Sequence, residues 1–234
     1  MKKIVVFSGA GVSADSGIPT YRSADGLWAN YRIEEVCTPE ALARDREKVI
    51  RFYNERRREM LSKEPNAGHI AIAELERYFN VAVVTQNIDD LHERAGSTDV
   101  THLHGELVKL RSTANPELTV GIDGWEQHPQ DCAPDGSPLR PHIVFFGEAV
   151  PMFDTAARIV ASADIFIIAG TSLAVYPAAS LVGYVRDRQV PVYIVDPGEP
   201  DIAFVRNSVT HIKAPSAVGM PELARRLIKE YAQE

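Results

Sequence analysis

Residues 1–28 read MKKIVVFSGAGVSADSGIPTYRSADGLW. A short apolar run, Ile4 to Phe7, meets Gly9-Ala10-Gly11, and small residues follow as far as Ala14. An apolar, β-branched run without polar alternation fits a strand buried on both faces, as in a parallel sheet. A glycine turn after such a strand, opening a helix, aims backbone N–H groups at phosphate. Small side chains at Ser8, Gly9, Ala10, Gly11, Ser13 and Ala14 let a ligand approach the main chain. The dinucleotide spacing G-x-G-x-x-G is broken, because its third glycine position holds Ala14. A tight turn with no ligand would explain Gly-Ala-Gly equally well. Gly17-Ile18-Pro19 and the adjacent Tyr21-Arg22 are more than a turn requires.

Working outward, similar runs recur at residues 81–85, 142–146, 164–169, 190–195 and 210–212, separated by longer stretches with helical spacing. This alternation predicts an α/β fold with a Rossmann-like, doubly wound parallel sheet. Two regions fit it poorly. Residues 24–78 are rich in charge and helical in spacing, and are expected to form a small helical insertion. Residues 105–141 are rich in Pro, Gly, Asp and Asn, too long for a plain loop, and are expected to form a small irregular module. The large part then comprises residues 1–23, 79–104 and 142–234 of a single domain. A closing amphipathic helix is expected from Pro221.

The chain has 234 residues, 45% hydrophobic and 24% charged, which suits one soluble domain. Its formal charge of −7 argues against a non-specific hold on nucleic acid. No apolar run approaches the ~20 residues that span a bilayer. The apolar stretch after Lys2-Lys3 ends at Phe7, too soon for a signal sequence. Cys37 and Cys132 are the two cysteines, so a disulfide framework is not expected. The chain reads as cytoplasmic and monomeric.

Four further stretches carry chemistry. In VVTQNIDDLHERAG (83–96), Gln86, Asn87 and Asp89 fall where a strand ends and a helix begins, the edge where α/β folds bind ligands. Helix capping would explain one polar residue there, but not Gln, Asn and two Asp in five positions. In VTHLHGELVKLR (100–111), His102 and His104 are two apart and share a strand face. A metal site would need more ligands than the neighbourhood offers, which favours a general base for one of the pair. LRPHIVFFGEAVP (139–151) is a buried-type strand ending in Phe-Gly-Glu, whose edge suits pairing with an extended peptide. IIAGTSLAVYPAA (167–179) brings Gly-Thr-Ser from a strand to a helix, another ligand-facing terminus.

Taken together, GAGVSADSGIPTYR, TQNIDDLHERAG, HLHG, RPHIVFFGE and GTSLAVYPA resemble, in order and over nearly the whole chain, the motifs of the sirtuins, NAD-dependent protein-lysine deacylases. The resemblance implies that NAD is the co-substrate. Gly9, Ala10, Gly11, Ser13, Ala14, Gly17, Ile18 and Pro19 would hold its pyrophosphate side, with Tyr21 and Arg22 in a loop closing over the nicotinamide ribose. Gln86, Asn87, Ile88 and Asp89 would line the nicotinamide and ribose pocket, with Asn87 and Asp89 taking part in catalysis. Gly170, Thr171, Ser172 and Ala217 would lie on the adenosine side, together with Asp196, which stands where the family usually has Asn. His104 would be the general base. In the family reaction the acyl oxygen attacks C1′ of the nicotinamide ribose as nicotinamide leaves. The base then helps the 2′-hydroxyl attack the resulting alkylimidate, and water releases free lysine and 2′-O-acyl-ADP-ribose. Val144, Phe145, Phe146, Gly147, Glu148 and Val175 would contact the acyl-lysine protein or peptide.

Tyr53 and Arg56 share a helix face in RFYNERRREM. By composition this is a charged amphipathic helix. By resemblance, Tyr-x-x-Arg matches the sirtuin subgroup that removes succinyl and malonyl groups, whose terminal carboxylate suits a guanidinium fork and a phenol. Acetyl-lysine would be a weaker or parallel substrate. Sirtuins also carry two C-x-x-C pairs for a structural zinc. Here those positions fall on Ser112, Asn115, Cys132 and Asp135, so the zinc-ribbon-like module is degenerate, and packing of Leu118, Val120, Ile122 and Trp125 is expected to hold it without zinc. A makeshift site from Cys132, Asp135, His128 or Asp131 is the alternative. Mono-ADP-ribosyl transfer to protein and a non-catalytic NAD-sensing module are the rival functions; a sensor would have no use for a base at His104.

Overall fold

The apolar run that opens the chain becomes strand β1 (Lys3–Ser8), buried throughout after Lys3. The computed structural model describes residues 1–20, 31–185, 187 and 189–232; Tyr21 and Arg22 lie outside the described residues. Among these, β1, β2 (Asn80–Thr85), β3 (Val100–His102), β7 (Ile165–Ala169), β8 (Val192–Val195) and β9 (Val209–Ile212) form one sheet in the order β3-β2-β1-β7-β8-β9. Every pairing in it is parallel. The order reverses between β1 and β7, and the crevice outside the carboxyl ends of those two strands is where such sheets bind ligands.

The helices are α1 (Gly11–Ala14), α2 (Ile33–Val36), α3 (Pro39–Arg44), α4 (Arg46–Leu61), α5 (Ala67–Leu75), α6 (Leu91–Arg94), α7 (Phe153–Ala161) and α8 (Ser216–Tyr231), with a 3₁₀ segment at Ala178–Tyr184. Alternate side chains of a strand point to opposite faces. Val5 and Phe7 therefore join Phe166, Ile168 and Ile194 beneath α7 and the 3₁₀ segment, while Ile4 and Val6 join Ile167 and Val195 beneath α5 and α8.

Three elements differ from the sequence reading. The stretch 142–146, read as a strand of the main sheet, instead supplies the end of β6 (Leu139–Ile143), which pairs antiparallel with β4 (Gly105–Ser112) in a second sheet of order β5-β4-β6, with β5 at Thr119–Gly121. Pro141 has no N–H for a second neighbour and so suits this edge position. Helix α5, placed with the helical insertion, packs Ala71, Ile72 and Leu75 against the main sheet beside α8; its apolar sequence differs from the charged α4. Helix α8 starts at Ser216 rather than Pro221 and contains that proline. Its first turn is built of small residues with little helical signal, and Gly219 is needed there, since a Cβ would lie 2.5 Å from Val195 Cγ1.

The second sheet has its own small core, in which Leu118, Val120 and Ile122 pack on Leu110, Ala133 and Leu139. Trp125 is not part of it: its ring lies under Arg58, and its carbonyl accepts from Arg57 Nη1 at 2.7 Å. Arg57 is wholly buried and also donates to Leu107 O and Asn54 Oδ1, joining α4 to the module through neutral acceptors. Burial lowers its pKa to about 10.

Candidate active site

The glycine turn meets the end of β7. Gly9 N–H donates to Ala169 O at 3.1 Å and Gly11 N–H to Gly170 O at 2.8 Å. A Cβ on Gly9 would fall 2.7 Å from Thr171 Cβ, and one on Gly11 2.8 Å from Gly170 Cα. Gly170 itself has φ +58 and would place a Cβ 2.2 Å from Val12 N. The three glycines thus bring two loops into backbone contact at the switch point. The N–H groups of Gly9 and Gly11 are spent on that contact rather than aimed at a phosphate. The Ala10 N–H takes no part in it.

Beneath the turn lies a buried polar layer centred on Ser13. Its hydroxyl donates to Asp89 Oδ2 at 3.0 Å and receives Asn87 Nδ2 at 3.1 Å. His69 Nδ1 accepts the Asn66 N–H at 3.3 Å, so the ring proton is on Nε2, which lies 3.4 Å from Ser13 Oγ. Burial lowers the His69 pKa to about 4 and pushes the Asp89 carboxyl up. Deeper still, Ser8 Oγ donates to Thr85 Oγ1 at 2.9 Å and lies 2.9 Å from His92 Nε2. Ala10, Ser13, Ile18, Pro19, Asn87, Ile88, Asp89 and Arg56 line one cavity, with Glu59, Met60 and Leu107 completing it.

The two histidines prove unlike. Strand β3 ends at His102, and His104 lies in the turn to β4, where Gly105 (φ +85) would drive a Cβ to 2.0 Å from His142 O. His104 Nδ1 lies 3.0 Å from Gln86 O. A carbonyl only accepts, so the ring proton is on Nδ1 and Nε2 carries a lone pair. Burial, against the opposing Gln86 bond, holds His104 below the ordinary histidine value and therefore neutral near pH 7. His102 Nδ1 donates to Asn87 O at 2.8 Å, and its Nε2 lies 2.7 Å from Glu93 Oε1. Burial opposes charge there too, but the Glu93 carboxylate and the Asn87 carbonyl outweigh it and raise the pKa. The two surroundings thus push the histidines in opposite directions, His102 toward holding its proton and His104 toward losing it.

On the opposite side, Gln86 Nε2 donates to Thr171 Oγ1 at 2.9 Å, joining the β2 and β7 loops. Ser172 is exposed and its carbonyl accepts Asp201 N–H at 3.1 Å. Asp196 Oδ1 caps its own turn through Gly198 N–H at 2.7 Å. Ala217 opens α8 and its N–H donates to Asp15 Oδ2 at 3.2 Å. Beyond β6, Val144 N–H donates to His104 O at 2.9 Å and Phe146 N–H to Cys37 O at 3.0 Å. Gly147 is exposed with φ +89, and Val175 is 37% exposed. The Glu148 carboxylate is held by Arg111, Arg140 and the Phe145 N–H.

Tyr53 and Arg56 do not enter the cavity together. Tyr53 is buried, donates to Cys37 Sγ at 3.2 Å and stacks on Phe145 with centroids 5.8 Å apart. Arg56 reaches the cavity, with Nη1 3.4 Å from Glu59 Oε2 and a buried Nε that has no partner among the described residues.

The positions that would carry zinc thiolates are engaged elsewhere. Ser112 Oγ donates to Asp135 Oδ2 at 2.7 Å, lies 2.6 Å from Ser137 Oγ and accepts the N–H groups of Ala114 and Asn115. Asp135 Oδ1 accepts the Ser137 N–H at 2.9 Å and its hydroxyl at 2.7 Å. Cys132 is exposed and its thiol donates to Gln130 O. Among the described residues, no three His, Cys, Asp or Glu side chains are grouped to hold a metal. This donor set does not fit a zinc ribbon.

Sequence reading left Thr85, His69, His92, Glu93, Arg111 and Arg140 without a role. Only Asn66 and His69 carried a local signal, the three-residue spacing of a helix-capping pair.

Comparison with known proteins agrees with this geometry. The chain is 55% identical over 211 residues to an NAD-dependent protein deacylase of Aggregatibacter actinomycetemcomitans, covering 90% of this chain and 99% of that one. The solved Sir2 homolog–NAD complex superposes with a TM-score of 0.87 at 42% identity, covering 98% of this chain and 90% of that one. A Sir2 variant solved with a deacetylated p53 peptide and 3′-O-acetyl ADP ribose gives 0.78 at 31% identity, covering 98% and 93%. The Sir2 family profile matches residues 9–177, from the first glycine of the turn to the proline after GTSLAVY, and the chain belongs to the Sir2 family, the sirtuins.

Proposed function

We propose that this protein is an NAD-dependent protein-lysine deacylase that removes succinyl and malonyl groups in preference to acetyl, releasing nicotinamide and a 2′-O-acyl-ADP-ribose. The observation that carries the deacylase reading is His104. Its Nδ1–H is committed to Gln86 O, its burial keeps it neutral, and its Nε2 lone pair is the acceptor a ribose hydroxyl needs as it attacks. The donor set suits NAD. Gly9, Gly11 and Gly170 clear the main chain at the switch point, and Ser13, Asn87 and Asp89 present one interlocked polar wall to the cavity. The family relatives, named as NAD-dependent deacylases, support the same reading.

Support for an acidic acyl group comes from Arg56. Arg56 lines the cavity and its guanidinium, only loosely held by Glu59, suits a carboxylate, which succinyl and malonyl supply and acetyl lacks. We also propose that the second sheet stands without zinc, its ligand positions replaced by the Ser112–Asp135–Ser137 cluster. The test is to incubate the protein with NAD and matched succinyl- and acetyl-lysine peptides, then measure free lysine and the acyl-ADP-ribose by mass spectrometry. Faster release of succinyl is expected. Transfer of ADP-ribose to the peptide without acyl loss would refute the deacylase reading, and faster release of acetyl would refute the acidic-acyl reading.

A further inference from the structure

Glu148 ends the Phe145–Glu148 turn, and both oxygens of its carboxylate are engaged within the protein. Oε1 receives Arg140 Nη1 at 2.6 Å, and Oε2 receives Arg140 Nη2 at 3.2 Å, Arg111 Nη2 at 3.0 Å and the Phe145 N–H at 2.8 Å. Arg111 and Arg140 face each other as registered partners in β4 and β6. Arg140 also donates to Ile143 O at 3.1 Å and lies over the Phe145 ring, its Cζ 3.8 Å from the centroid. Both arginine side chains are about 90% buried. Two cations at this depth would repel each other and hold their desolvation penalty uncompensated without the carboxylate between them. Burial works against the Glu148 charge, but Arg140, the Phe145 N–H and Arg111 keep its carboxyl below the usual range.

The consequence reaches the reaction site through two short links. Phe145 stacks on Tyr53 of α4, and its neighbour Val144 bonds the carbonyl of His104. We infer that Glu148 is a positioning residue for the deacylation reaction: with Arg111 and Arg140 it fastens the turn at residues 144–147, where the acyl-lysine peptide lies, to the second sheet, without touching substrate itself. This rests on the reading of that turn as the peptide seat. It assigns the second sheet a task, that of a rigid back plate for the substrate turn, which needs no metal.

The experiment compares the full chain with Glu148→Gln, Arg111→Met and Arg111→Lys in steady-state assays with acyl-lysine peptide and NAD, alongside thermal melts. Glu148→Gln keeps the shape and removes the charge. It should raise the peptide KM roughly 10-fold, the scale of one charge-assisted hydrogen bond, with kcat and the NAD KM within about 2-fold. Arg111→Met, which leaves the Arg140 pair in place, should raise the peptide KM less, and Arg111→Lys should recover part of that rise. A collapse of kcat at unchanged peptide KM would make Glu148 a catalytic residue and overturn the inference. So would equal changes in both KM values, or no change in either, for a variant that melts as wild type. If Glu148→Gln fails to fold, the Arg111 pair decides by the same criteria. No turnover of any acyl-lysine by the wild type would instead overturn the deacylase reading, and this inference with it.

Discussion

Replacing Arg56 with methionine tests the acidic-acyl reading most directly. Methionine keeps the length and the apolar stem while removing the guanidinium, so packing against Phe52, whose ring centroid lies 5.7 Å from Arg56 Cζ, is largely preserved. The contact with Glu59 is loose at 3.4 Å, and both side chains are about a quarter to a third exposed, so its loss should cost little. What the substitution removes is the donor available to a substrate carboxylate. A hydrogen bond to a charged group contributes about 1.5–3 kcal/mol, which corresponds to roughly 10- to 150-fold in kcat/KM. Glu59 repels the arriving carboxylate, so the lower part of that range is expected, and Glu59→Gln should favour succinyl further. Acetyl-lysine makes no such contact and should hold its rate. The assay is kcat/KM for succinyl- and acetyl-lysine versions of one peptide, read as a ratio so that damage to α4 cancels. Tyr53→Phe, which loses a bond to Cys37 Sγ, should move the ratio less. An equal fall for both substrates in Arg56→Met would show that the arginine serves only the fold.

Four further outcomes follow. His104→Ala should abolish turnover while leaving the melting temperature near wild type, and near-normal kcat would remove it as the base. Because burial holds His104 below the ordinary histidine value, the base is lost only as pH falls through that lowered pKa; the acidic limb of kcat/KM should therefore lie below about 6.5, and a limb above it would contradict the assignment. Chelators should leave the melting temperature unchanged while Asp135→Ala lowers it, and one tightly held zinc per chain by metal analysis would contradict the zinc-free module. Gly170→Ala should destabilise the protein by at least about 1–2 kcal/mol, the cost of left-handed backbone for a residue with a Cβ, and should weaken NAD binding; a stable variant with normal NAD KM would refute the close-contact reading of the switch point.

The parts of the molecule legible in sequence are those whose chemistry is local. β1 and β7 announce themselves because strands buried on both faces are apolar throughout, and the turn after β1 because glycine is required where main chains touch. His104, the proposed general base, was singled out through the HLHG motif, but the surroundings that set its protonation were not legible. Nothing along the chain says that His102 meets Glu93 while His104 meets a backbone carbonyl, since one partner lies on α6 and the other at Gln86, just after β2. The 142–146 run misled because burial by a second sheet leaves the same apolar signature as burial in the first. Tyr53 and Arg56 share a helix spacing, yet the three-residue offset that makes them neighbours does not tell which turns toward Cys37 and which toward the cavity. Glu148 was named as a peptide contact, but its clamp was hidden for a related reason: its arginine partners sit 37 and 8 residues earlier and meet it only when β4 and β6 pair.

The Ser112–Asp135–Ser137 cluster also bears on redox chemistry. A four-thiolate metal site is open to peroxides and electrophiles, which oxidise the sulfurs and release the ion. Hydroxyl and carboxylate oxygens undergo no such reaction. In this module Cys132 is the sole sulfur at the corresponding positions, and its bond to Gln130 O is peripheral to the cluster. If the module stands without zinc, as proposed, oxidative stress that dismantles a thiolate-bound ribbon would leave this second sheet in place, and activity should survive peroxide and zinc depletion alike.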